Sequence, residues 1–358
     1  MSPDPSEAGR ILTGCGMFSF CMGLSNNYAP GDMTTPETLV LTAAEIRELL
    51  DARELLQPMR EAFAKYSTER TVPARRFPVV LPKTAETGAG GMVLAPGIIP
   101  GVPAYTVKVN AKFPDAVPAI KGVILLHDMT SGDLLAILDS GYITAVRTGL
   151  AGAISADVLA RKDASRVAII GAGTQGRVQL RSLALVREIS SVSVFDTTPG
   201  AAERYAAENH EGIACEIGPA ASIAEAVEGA DIVITCTWAT EPFLFDSMVA
   251  PGTHITTLGP DSPGEAEVDA GLIRKSLFAC DDRDLAIEMG AIGGVGLGAD
   301  AIHAEIGEVI AGAKTGRSSA DQITIFGSVG LAFQDLAAAW LVYEKAKASG
   351  QGQIIAFF

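Results

Sequence analysis

Residues 165–196 read SRVAIIGAGTQGRVQLRSLALVREISSVSVFD. The apolar run Arg166 to Ile170 has strand character and meets the turn Gly171-Ala172-Gly173-Thr174-Gln175-Gly176, after which Val178 to Arg187 repeats with helical period. A second β-branched run, Ser191 to Phe195, ends on Asp196, twenty residues beyond Gly176. Strand, glycine turn, helix, strand and acid in that order is the layout of a dinucleotide site. Gly171 permits the turn, Gly173 admits a pyrophosphate close to the backbone, and Gly176 lets the helix pack on the strand. The free N–H groups of the helix, with Thr174 and Gln175 in its first turn, then face the phosphates. Asp196 is read as the acceptor of the ribose diol; its charge repels a 2'-phosphate and so favours NAD(H) over NADP(H). The ordinary alternative for Asp196 is a solvated residue at a strand end.

The same alternation continues downstream. Strands are predicted near Ala214 to Ile217, Ile232 to Thr237, His254 to Leu258, Leu277 to Cys280 and Ile323 to Phe326, with helices between them, Ala301 to Ala311 among these. Alternating strands and helices imply right-handed crossovers and a parallel sheet. Thr235 and Thr237, at the end of one such strand, are assigned to the cofactor. Gly293 to Gly298 is read as a mobile connection.

Ahead of this unit the pattern differs. Thr42-Ala43-Ala44-Glu45 is a capping box. Ala52 to Tyr66 carries Leu55, Leu56, Met59, Phe63 and Tyr66 at helical spacing, a core stripe. From Gly91 to Asp139 come four strand candidates of period two, the last two joined by Met129-Thr130-Ser131-Gly132, a hairpin turn. They form a mixed or antiparallel sheet, expected to floor a pocket and to make a subunit contact. A small-residue helix, Ile143 to Leu159, follows with Arg147 and Thr148 near its start and Thr144 as its candidate cap, and a last helix, Leu331 to Ala348, is expected to return to the first domain. The fold class is thus α/β: a Rossmann-type parallel-sheet domain plus a mixed-sheet α+β substrate and dimerisation domain. The expected division is a flexible extension over 1–36, a substrate-binding and dimerisation domain over 37–147 with 328–358, and a Rossmann domain over 148–327. Met33 is read as the natural start.

Composition limits the partners. The 358 residues include 27 Lys and Arg against 42 Asp and Glu, a formal charge of −15, which argues against nucleic acid because phosphate backbones are held by basic surface. Cys15, Cys21, Cys215, Cys236 and Cys280 are scattered without a CxxC pair, as free thiols of a reducing cytoplasm are. The four histidines lack ligand spacing, so no metal site is predicted. No apolar segment has the length of a membrane span.

Several residues have the chemistry of a small-molecule site. Lys108 sits mid-strand between Val107 and Val109; it either snorkels to solvent or lines a pocket with an arginine such as Arg75 to bind a carboxylate. Arg147 and Thr148 either reach a pyrophosphate or, for Arg147, make a surface ion pair. Asp261, in Gly259-Pro260-Asp261-Ser262-Pro263-Gly264, follows a strand of the nucleotide unit, where ligands of such sheets bind. It suits proton transfer, although a turn aspartate is the plainer reading.

These blocks together resemble the ornithine cyclodeaminase and mu-crystallin superfamily. The resemblance covers Thr38 to Lys347 and rests on LVLTAAEIRELL (39–50), Pro73-Ala74-Arg75, YTVKVN (105–110), DSGYITAVRTGLAGAIS (139–155), VAIIGAGTQG (167–176), GPDSPG (259–264), IHAEIGEVIAGAKTGR (302–317) and ITIFGSVGLAFQDLA (323–337). It implies that Arg75, Lys108 and Arg147 gather around the substrate carboxylate and cofactor phosphates, that Thr148 contacts the NAD pyrophosphate, and that Asp261 is the acid-base residue. It implies a homodimer built through the first domain. The family's chemistry lies at the bond between Cα and the amino nitrogen: oxidation to an imine or its reduction, with hydrolysis to a 2-oxo acid in alanine dehydrogenases and cyclisation to proline in ornithine cyclodeaminase. Some mu-crystallin-like members hold a nucleotide without catalysis; Arg75, Lys108 and Asp261 together speak for an enzyme. Three positions depart from the pattern: Val93 where cyclodeaminases carry a glutamate, Glu265 for the usual lysine, and Gly327 for the usual aspartate. Loss of the glutamate removes the partner of a diamino substrate's second ammonium, and the blocks lie nearer to archaeal-type alanine dehydrogenases. The expected activity is therefore an NAD(H)-dependent oxidoreductase of a small L-amino acid or its imine, with ornithine cyclodeamination as the alternative.

Overall fold

A computed structural model describes residues 37–81, 90–113, 116–208, 210 and 213–357. The expected extension over 1–36, the start at Met33, and Cys15 and Cys21 lie outside the described residues. The two sheets are built as their sequence periods require. The first has seven strands in the order Gln353–Ala356, Glu37–Leu41, Leu134–Asp139, Ile120–Asp128, Ala104–Lys112, Gly90–Ile98 and Phe77–Leu81. It is antiparallel except where Glu37–Leu41 runs parallel to Leu134–Asp139. The hairpin at 129–132 is present; Asp128 accepts from the N–H groups of Thr130 and Ser131, and Gly132 takes φ +78°. The terminal strand Gln353–Ala356 was not anticipated: its half-exposed IIA gives no clear period.

The second sheet has eight strands, all parallel, with Arg166–Ile170 near its centre. Ser191–Phe195 and Glu216–Pro219 lie on one side of it and Ile232–Thr235 and His254–Thr257 on the other. The direction of winding therefore reverses at Arg166–Ile170, beside which the crevice of such a sheet opens at the carboxyl ends.

The helix Ser140–Leu159 ties the sheets together. Asp139 caps it through Gly141 N–H, and thirteen of its twenty residues are buried because Gly149, Gly152 and the alanines let neighbours approach closely. A Cβ on Gly149 would lie 2.4 Å from Ser182 Oγ. The sequence expectation needs correction here: Thr144 is not the cap, and Arg147 lies two turns inside the helix. The expected division at 147/148 falls within this unbroken helix, which packs on strands of both sheets. The last helix, Ala332–Ser349, does return to the first sheet and to the helix Ala52–Glu69. Two further expectations are corrected. Ala301 to Ala311 is a short bridge strand followed by the helix Ile306–Ile310, and part of the glycine-rich 293–298 stretch is helical at Ala291–Gly294. No helix among the described residues is long and apolar enough to cross a membrane. Cys215, Cys236 and Cys280 are free thiols.

Candidate active site

The glycine turn has the geometry its spacing predicts. Gly171 takes φ +111°, and a Cβ there would stand 2.7 Å from the Cys236 carbonyl oxygen. Gly176 backs onto the Gly171 carbonyl, where a Cβ would lie at 2.3 Å. At Gly173 a Cβ would meet nothing within 4 Å, so the space before the helix Thr174–Leu183 is open, and no side chain caps that helix end. Uncapped N–H groups facing open space fit a dinucleotide pyrophosphate. Asp196 lies against the turn, accepting Ala172 N–H at 2.8 Å and Thr198 N–H at 2.7 Å. Each carboxylate oxygen retains a lone pair for a ribose hydroxyl.

From this turn a cavity of about 780 Å³ runs toward the mixed sheet. Gly173, Thr174 and Gln175 line one end; Arg147, Thr148 and Thr237 also line it, and Lys112, Trp238 and Asp261 converge on it. Asp261 is held by two cations. Lys112 Nζ lies 2.8 and 2.7 Å from its two oxygens, and Arg76 Nη2 is 3.2 Å away. Burial alone would raise the carboxyl of Asp261; the positive charges of Arg76 and Lys112 outweigh it and hold the group below its ordinary value.

The sequence named neighbours of two of these groups. Arg75 is exposed, and its neighbour Arg76 reaches the site, because an extended chain turns successive side chains to opposite faces. Lys108 does face inward, but it is not among the residues lining the cavity: it is buried and pairs with Asp335 at 2.6 Å. Burial, reinforced by Arg147 and Arg76 and opposed by Asp335, pulls its ammonium down to about 8. Lys112, four residues or about 13 Å further along the strand, is the lysine at Asp261. Arg147 shares Asp335 through Nε at 3.0 Å and donates to Gln334 at 2.8 Å. It is a buried pair rather than a surface one. The Thr148 hydroxyl donates to Thr144 O, within its own helix.

Thr235 also requires correction. It is fully buried and its hydroxyl donates to Glu267 at 2.6 Å, away from the cavity. Glu267 went unnoticed in the sequence because nothing near it has motif spacing. It accepts also from Thr237 N–H and Oγ1, Thr257 Oγ1 and Gly259 N–H, and so clasps the ends of two central strands below Asp261. Asp281, likewise unnoticed and buried, accepts from Ser328 Oγ and from the N–H groups of Val329 and Gly330. That fixes a loop whose Val329 carbonyl takes Arg76 and whose Gly330 packs on Arg147.

The three departures have structural accounts. Val93 is buried on the inner face, paired in register with Asn110 between Lys108 and Lys112. Glu265 folds back to accept the N–H groups of Asp261 and Ser262 at 3.0 and 3.1 Å, which braces the acid's own loop. Gly327 lies under the ring of Phe278, whose Cζ would stand 2.5 Å from a Cβ there.

The chain matches the sequence profile of the ornithine cyclodeaminase/mu-crystallin family over residues 36–350. It is 36% identical over 330 residues to alanine dehydrogenase of Archaeoglobus fulgidus, covering 90% of this chain and 99% of the relative. An archaeal alanine dehydrogenase dimer with bound NAD superposes with a TM-score of 0.81 at 34% identity, covering 90% of this chain and all of that one. Thermococcus litoralis Δ1-pyrroline-2-carboxylate reductase in complex with NADH and L-proline superposes at 0.82 with 31% identity, covering 89% and 100%. With the glycine turn, the bridging helix and the braced acid in one cavity, this chain belongs to the ornithine cyclodeaminase/mu-crystallin family.

Proposed function

We propose that the protein is an NAD(H)-dependent oxidoreductase acting on the Cα–N bond of a small amino acid or its imine. The observation that carries this reading is the single cavity joining the open glycine turn to Asp261. Bound along that cavity, the dinucleotide supplies or accepts the hydride at Cα. The residues of the chain do the rest. Arg147 lines the cavity, with Lys108 and Arg76 behind it, and their positive charge attracts the substrate carboxylate, which the guanidinium fork suits geometrically. Asp261, kept ionised by Lys112 and Arg76, takes the proton from the substrate nitrogen or attacking water, and returns it in reduction. Arg75 and Thr235 are not assigned roles.

Asp196 favours NAD(H), since a 2'-phosphate would meet its carboxylate. The outer face of the mixed sheet supports a homodimer. Phe77, Leu94, Val109 and Val123 form one row across it, with Phe77 54% and Val123 38% exposed, and a contiguous apolar face of this kind is costly to leave in water. We retain the scheme of a mixed-sheet substrate domain and a nucleotide domain, with the helix Ser140–Leu159 shared. Ornithine cyclodeamination is disfavoured by Val93, which stands between Lys108 and Lys112 where a distal ammonium would need a carboxylate.

Incubation of the protein with NADH, ammonium and a panel of 2-oxo acids, and with NAD+ and amino acids, tests the reading through NADH absorbance. Net change in NADH is expected. Proline and ammonia from ornithine without net NADH would instead establish the cyclodeaminase.

A further inference from the structure

The cavity is basic in a chain that is strongly acidic. Its charged lining residues are Arg47, Lys112, Lys121 and Arg147 against Asp139 and Asp261, whereas the whole chain carries −15. Part of the excess lies around Asp261. There Arg76 and Lys112 share the one carboxylate of Asp261, and behind them Lys108 and Arg147 share that of Asp335. A further carboxylate, Glu265, accepts from the backbone N–H groups of Asp261 and Ser262. Asp139 is committed to Gly141 N–H at the helix cap. Two cations on one half-buried carboxylate are incompletely compensated, and such a cluster is built to receive an anion.

One substrate carboxylate is accounted for by the rear cations and Arg76. Lys112 remains. Its side chain is 22% exposed, lines the cavity and stands 5.8 Å from the ring centre of Trp238, itself a cavity-lining residue. An alkyl side chain has no use for an ammonium at this place, and a distal ammonium would be repelled by it. A distal carboxylate would add a second anion beside a lysine that already holds Asp261, in a cluster where four cations meet two carboxylates.

We propose that the substrate carries a second carboxylate, being a short 2-amino dicarboxylic acid or its 2-imino form, and that Lys112 binds the distal group. This rests on the reaction proposed above. In the reductive direction a 2-oxo dicarboxylate condenses with ammonia and loses water. The imine carbon then takes the hydride of NADH and the nitrogen a proton, giving the amino dicarboxylate and NAD+.

The test compares kcat/KM of the full chain for oxaloacetate and 2-oxoglutarate, each with ammonium and NADH, against pyruvate with ammonium and against Δ1-pyrroline-2-carboxylate. One dicarboxylate is expected to lead both monocarboxylates by about 10²-fold, the effect of one charged hydrogen bond. In Lys112→Met that lead should collapse, mainly through KM, while Lys112→Arg keeps most of it; NADH fluorescence titration verifies that both variants hold the cofactor. Equal or faster turnover of a monocarboxylate overturns the proposal and leaves the family reaction standing. A dicarboxylate preference that survives in Lys112→Met overturns the role of Lys112. No NADH change with any imine or amino acid removes the underlying reaction as well.

Discussion

Lys112 and Asp261, 149 positions apart in the chain, meet in a two-point contact, with Nζ at 2.8 Å from Oδ1 and 2.7 Å from Oδ2. The contact crosses from the mixed sheet to the loop beyond a strand of the parallel sheet. With Arg76 it outweighs burial and holds the Asp261 carboxyl below its ordinary value, which favours the carboxylate.

Asp261→Asn removes the proton acceptor while keeping the shape of the side chain. Turnover should fall about 10²- to 10⁴-fold, with NADH affinity retained because the glycine turn is untouched. Retained turnover would take Asp261 out of the chemistry.

Lys108 sets a pH dependence. Its ammonium titrates at about 8 in the folded protein against 10.5 for the free side chain. Because the folded value is the lower, the unfolded chain binds the proton more tightly between these limits. Burying the charge costs stability in full below pH 8, and that cost is relieved as pH rises through the window. The attraction for substrate runs the other way: above about pH 8 the free enzyme loses this positive charge. The kcat/KM profile should fall on an alkaline limb near 8, and Lys108→Arg, which stays protonated, should shift that limb upward. A limb unmoved by the substitution would assign it to another group.

Glu267 is fully buried and accepts from five donors. Glu267→Gln turns an amide NH2 toward groups that are themselves donors, so at least one buried hydrogen bond is lost whichever way the amide is oriented. A destabilisation of about 2–3 kcal/mol is expected, read as a lower urea midpoint at constant slope. A midpoint equal to that of the parent would mean that the clasp contributes nothing.

Gly327→Ala forces a methyl group against the buried Phe278 ring. Overpacking of this kind costs about 1–3 kcal/mol. Phe278→Leu in the same chain should recover part of it, which a purely backbone effect at position 327 would not allow. Thermal unfolding of Gly327→Ala, of Phe278→Leu and of the double variant decides between the two.

The sequence by itself determined the parallel sheet and its dinucleotide turn, since 165–196 contains every local ingredient: period, turn residues and terminal acid within one short segment. It determined equally the capping box at Thr42 and Glu45, where donor and acceptor are three residues apart and both bonds form. It picked out Asp261 and Arg147, both of which line the cavity, and left Lys108 open between solvent and pocket. Tertiary structure alone decided which basic residues touch the acid. A strand reverses face at each residue, so Arg75 and Arg76 differ by a single step that no spacing rule resolves, and Lys108 and Lys112 share a face but stand about 13 Å apart. Glu267 and Asp281 were silent for the same reason. Their partners come from strand ends and loops remote in sequence, and a buried carboxylate without a nearby motif looks like any other acid until the chain closes around it.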